Sequence, residues 1–208
     1  MEYRQPLSFE PTRHGRMTSV VAFELPVAEE AVLQHLEEEA IDEARIDEVI
    51  PKALDPALTA ALAQELAGTE YGLFAADSGR GASGYAVALE VLSIVANFGG
   101  ATATIAGGIA LTSRLYRWLQ QRLSQRVKVS LGAACFLAAA HLADRLGQVE
   151  FRLHGAGDTR NRPHDFAYTG NDCFYVIFER RLDLFFYAVD AYGDVTPLGE
   201  AKIPPLEG

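Results

Sequence analysis

The sequence predicts an α+β fold: a mostly antiparallel sheet from the C-terminal half packed against Ala-rich helices, with acidic helices at the N-terminus. Three observations predict it. Two runs dense in Phe, Tyr, Val and Ile, Cys173 to Glu179 and Leu184 to Asp190, sit at hairpin spacing. Two Ala-rich runs at helical spacing are bounded by capping residues. A third helical run, near the N-terminus, is filled with Glu and Asp. All 208 residues are expected in a single domain, with 1–70 as an acidic helical part and 71–208 as a helix-plus-sheet core.

In chain order, Ser19 to Leu25 reads as a short strand ended by Pro26. A helix is expected from Ala28 to Ile50, since Val32, Leu33, Leu36, Ala40, Ala44 and Val49 recur at helical spacing and Pro51 closes the run. Asp55-Pro56 is a helix start, because Asp can cap free N–H groups and Pro suits the first turn. Ala57 to Ala67 follows as helix, with Gly68 at its C-terminal cap. Tyr71 to Ala76 reads as a strand, and Asp77 to Gly84 as a glycine-rich turn. The apolar stretch Tyr85 to Leu111 is expected to be helical, broken near Gly99-Gly100 and Gly107-Gly108, and to pass into a basic amphipathic end at Thr112 to Leu123.

Val127 to Val129 reads as a strand, Ser130 as a cap, and Leu131 to Leu146 as a helix closed by Gly147. Leu131, Cys135, Ala138, Leu142 and Leu146 line one face of that helix. A strand from Val149 to His154 would follow, an order that permits a parallel crossover. In the C-terminal third, Arg180 to Asp183 and Tyr192-Gly193-Asp194 are turns, and the last strand runs near Val195 to Ile203. Pro197 puts that last strand at a sheet edge. The consecutive apolar positions predict a sheet covered on both faces.

Charge narrows the function. The net charge is −10, unevenly placed. Residues 1–90 hold six basic and seventeen acidic residues, whereas residues 91–150 hold six basic and two acidic. Overall acidity argues against nonspecific nucleic-acid binding, which rests on neutralising phosphates. The basic middle is instead positioned to pair with the acidic part, within one chain or between chains. Arg outnumbers Lys fifteen to three and Ala occurs 32 times, a usage that points to a high-GC bacterial genome. Cys135 and Cys173 form no C-x-x-C pair, so they read as buried thiols in a reducing compartment. Met1 to Arg16 has no apolar core of a signal peptide, and the expected location is the cytoplasm.

Three features carry candidate chemistry. Gly79-Arg80-Gly81-Ala82-Ser83-Gly84 matches G-x-G-x-x-G and resembles a dinucleotide-binding turn, which makes Gly79, Arg80, Gly81, Ser83 and Gly84 the candidate ligand-binding residues. It departs from the Rossmann pattern, since no carboxylate lies between Glu90 and Asp144, and it lacks the Gly-Lys-Ser/Thr of a phosphate loop. Val91 to Ser113 runs without a charge and carries small residues at Ala96, Gly100, Thr104, Gly108 and Thr112. Its Gly, Ala, Thr and Ser content favours a buried helix pair over membrane insertion. The segment from His154 to Asp165 gathers His154, Asp158, His164 and Asp165 as candidate acid–base residues, with Arg160 and Arg162 for an anion. His164-Asp165 resembles a metal-binding dyad but lacks further spaced ligands, so no metal and no cofactor are expected.

The expected function is a non-enzymatic protein-interaction or regulatory module that binds a protein partner or itself. A nucleotide- or anion-binding protein using Gly79–Gly84 is the second expectation. A membrane-active protein using residues 91–113 is the third.

Overall fold

A computed structural model of the chain describes residues 21–38, 45–76, 85–91, 102–147, 150–158 and 173–203. Strand β1, Val21–Val27, alternates apolar side chains inward, and Val21, Phe23, Leu25 and Val27 are buried. Pro26 lies inside β1 rather than ending it. The position tolerates it because β1 pairs with strand β4, Lys128–Val129, only at Phe23 and Glu24, so Pro26 lies beyond the reach of that neighbour. Within the expected helix over 28–50, the described residues form α1, Glu29–Glu38, and α2, Ile46–Val49, and residues 39–44 lie outside the described residues.

Helix α3, Pro56–Glu65, starts as the sequence predicts. The Asp55 side chain accepts the Ala57 N–H at 2.9 Å and Pro56 occupies the first turn. Its buried Leu58 and Leu62 face the core. Gly68 follows with φ +80°, a conformation that favours glycine. Strand β2, Tyr71–Ala75, comes next.

The expected helix from Tyr85 is corrected by the structure: Tyr85–Val91 is strand β3. Val87, Leu89 and Val91 recur at period two and are buried, a strand pattern disguised by the apolar Ala86 and Ala88 between them. Glycines 99 and 100 lie outside the described residues. Helix α4 is described over Thr102–Arg122, uninterrupted at Gly107-Gly108. Val91 therefore ends a strand, and no helix among the described residues is long and apolar enough to cross a membrane.

Helix α5, Leu131–Leu146, carries the architecture. Ser130 caps it and Gly147 ends it at φ +67°. From Gly132 to Ala139 every residue is buried, so the helix is enclosed on all sides rather than along the one expected stripe. It packs against α4, against β1 and β4, and against the four C-terminal strands β5, Arg152–Asp158, β6, Cys173–Arg180, β7, Asp183–Asp190, and β8, Val195–Lys202.

Two four-stranded antiparallel sheets result, in the orders β2-β3-β1-β4 and β5-β6-β7-β8. The α+β class and the antiparallel C-terminal sheet on an Ala-rich helix are as the sequence predicts. The parallel crossover that the order around α5 permits is not formed, because β4 hydrogen bonds to β1 while β5 pairs antiparallel with β6 in the other sheet. The sheets meet where the Val129 N–H donates to the Ala191 carbonyl at 3.0 Å. One continuous apolar core includes residues of both.

In the C-terminal sheet, Phe174, Val176, Phe178, Phe185, Tyr187 and Val189 point to the core and are buried. The opposite face, with Tyr175, Ile177, Phe186 and Ala188, is half-buried rather than sealed as expected. Strand β8 is the edge, and Pro197 lies beside a register shift against Phe186 and Tyr187.

Candidate functional site

A polar cluster on the C-terminal sheet forms where β5 meets the end of β6. Glu179 is buried at the close of an apolar strand. Arg152 lies opposite it across the ladder, and its Nη2 donates to Glu179 Oε1 at 2.7 Å. His154 is the extra residue of a bulge between Leu153 and Gly155, and its Nδ1 lies 3.0 Å from Glu179 Oε2. The Arg152 guanidinium, then His154, hold the Glu179 carboxyl below the usual carboxylate range, against the opposing effect of burial. A shallow depression of about 470 Å³ adjoins the cluster, lined by Glu150, Phe151, Arg152, Glu179, Arg180 and Arg181.

This arrangement brings one predicted residue, His154, to a carboxylate that the sequence reading did not single out, Glu179. Asp158 sits four positions along β5, opposite Phe174, roughly 13 Å away at strand rise. Its charge, after burial, raises the pKa of the Tyr175 phenol. His164 and Asp165 lie outside the described residues, as do Gly79, Arg80, Gly81, Ser83 and Gly84. Sequence reasoning missed Glu179. The signal available was a carboxylate ending a strand of otherwise apolar residues, Cys173 to Phe178.

The cluster ties β5 to β6 through two contacts with Glu179. An imidazole backed by a carboxylate can act as a base, but Arg152 already neutralises this carboxylate. Among the described residues no hydroxyl or thiol is hydrogen bonded to His154, and no three His, Cys, Asp or Glu side chains could hold a metal together. Cys135 is no nucleophile, since burial pushes its thiol up to about 12. Cys173 is half-buried.

The expected contact surfaces divide into two kinds. Gly108 and Thr112, from the small-residue series, are buried within the chain. Arg114 pairs with Glu65 at 2.8 Å and Lys128 with Glu24 at 3.0 Å, so part of the basic middle meets the acidic part within one chain. Arg117 and Arg122 stay exposed on the last turns of α4. Arg117 donates to its own helix at the Ser113 carbonyl, and Arg122 lies over Trp118 at 4.7 Å. Buried Leu115 and Leu119 anchor the same helix from beneath.

No protein family, curated protein or solved structure matches the chain.

Proposed function

We propose that the chain is a non-enzymatic interaction module that docks an acidic surface on the basic ridge of α4. One observation carries this reading: Arg117 and Arg122 are exposed and, among the described residues, have no carboxylate partner, on a helix that its buried face holds in place. Guanidinium groups held on a rigid helix favour carboxylate recognition, because less side-chain freedom is lost on binding.

A complementary surface exists on the chain itself. Helix α1 exposes Glu29, Glu30 and Glu37 around Leu33, which is 47% exposed. A second copy supplying α1 to α4, and receiving the reverse, would close a two-fold dimer. Light scattering over a concentration series tests this. The wild type is expected to dimerise more strongly at low salt, and Arg117→Glu to shift the dimerisation constant by tenfold or more. Mixing Arg117→Glu chains with Glu30→Arg chains is expected to restore a heterodimer. A wild type that stays monomeric at every concentration and binds no acidic peptide overturns the reading.

A further inference from the structure

A groove at one end of the first sheet is separate from the Glu179 cluster. Its volume is about 700 Å³, within the range of roughly 300–1,000 Å³ usual for small-molecule sites. Val27, Ala31, Leu54, Leu58, Tyr85 and Leu123 supply its apolar walls. Among the described residues its polar lining is Asp55, Arg122, Ser124 and Gln125, of which Asp55 and Arg122 are charged. A concave site that joins apolar walls to placed polar groups is the usual composition of a ligand site.

The two charges are differently engaged. Asp55 is spent on the cap of α3, where it accepts the Ala57 N–H. Among the described residues Arg122 makes no ion pair, and its guanidinium stands over the Trp118 ring. Stacking occupies the face of the guanidinium and leaves its in-plane N–H groups to donate, an arrangement suited to a carboxylate.

We propose that this groove binds a small amphipathic monocarboxylate, with its aliphatic body on the apolar walls and its carboxylate on Arg122. The site does not depend on the docking role of α4, although Arg122 belongs to both.

The probe is decanoate below its micellar concentration, compared with decanol, decylammonium and acetate. Trp118 is the only tryptophan in the chain, so its emission reports on the mouth of the groove, and calorimetry reports independently. Decanoate is expected to bind saturably and at least tenfold more tightly than decanol, because a hydrogen bond to a charged group is worth about that factor or more. Acetate, which lacks the chain, is expected to be silent. Arg122→Gln should erase the preference for decanoate over decanol. Asp55→Asn keeps a capping side chain and should tighten decanoate binding by removing a like charge. Ala57 is exposed at the rim, so Ala57→Phe should fill the groove and abolish binding while the melting curve stays cooperative.

Neither heat nor emission change with decanoate would overturn the proposal. So would undiminished binding in a folded Ala57→Phe variant, or tighter binding of decylammonium, which would mean that Asp55 is read instead. Arg117→Glu, outside the groove lining, should leave decanoate binding intact while it weakens dimerisation, so the two proposals fail separately.

Discussion

Ser130 does two jobs with one oxygen. Its Oγ accepts the Ala133 N–H at 3.3 Å, capping α5, and the Ala22 N–H at 3.0 Å, holding β1 to the start of that helix. Ser130→Ala leaves a buried N–H of β1 unsatisfied and removes a helix cap. A loss of about 2 kcal/mol is expected, read from the urea midpoint at unchanged slope. Glu179 makes a pH-dependent contribution of known sign. Its folded carboxyl titrates below its ordinary value of 4.5. The stabilisation is therefore present above pH 4.5 and is lost as pH falls through the lower folded value. Glu179→Gln is expected to cost about 1 kcal/mol at pH 7, and the gap from wild type should close in acid, by thermal melts from pH 7 to 3. A gap that widened towards acid would contradict the assigned cause.

At the scale of elements, turns decide where strands can meet helices. Gly193 lies in the β7–β8 turn at φ +85°, where Asp190 Oδ1 accepts the Tyr192 and Asp194 N–H groups. A Cβ there would meet Leu137 Cδ1 at 2.9 Å and the Tyr116 ring at 3.0 Å. Gly68 has a similar φ of +80°, yet nothing lies within 4 Å of its would-be Cβ. The pair separates conformational strain from crowding. Gly68→Ala is expected to cost about 1 kcal/mol and Gly193→Ala about 2–3 kcal/mol, by chemical denaturation. Equal costs would show that φ alone matters. The same turn joins larger parts, since the Tyr116 hydroxyl of α4 donates to the Tyr192 carbonyl at 2.5 Å and Arg126 stacks on Tyr192 at 4.6 Å.

At the scale of the molecule, α5 is the shared wall of two sheets. Phe23, stacked with Tyr116 at 6.4 Å, belongs to the core of the first sheet. In the second, Tyr187 meets His141 of α5 edge-on at 5.5 Å and Phe178 at 6.1 Å. Charge follows the same economy. Arg114, Lys128, Arg126 and Arg145 meet carboxylates within the chain, while among the described residues Arg117 and Arg122 do not. Two of these pairs, Arg114 with Glu65 and Lys128 with Glu24, join the basic middle to the acidic N-terminal part. The proposed dimer belongs to this scale: its salt dependence should disappear in Arg117→Glu, because the screened attraction is then already gone.

The sequence by itself determined the features whose hydrogen bonds close within a few residues. Asp55-Pro56 starts α3, Ser130 and Gly147 bound α5, and the β6–β7 hairpin and the edge position of Pro197 follow from turn and proline chemistry. Tertiary structure decided the rest. Tyr85–Val91 is a strand because β1 and β2 lie on either side of it, and an apolar run with alternating alanines is ambiguous without those neighbours. Enclosure of α5 required two sheets, one built from strands that precede the helix in the sequence and one from strands that follow it. Glu179 joined Arg152 and His154 from 25 or more positions away, through a bulge that no local pattern announced. Caps and turns are local energies written in adjacent residues. Strand pairing and charge clusters depend on which distant surfaces the core brings together, and that is settled only when the chain packs.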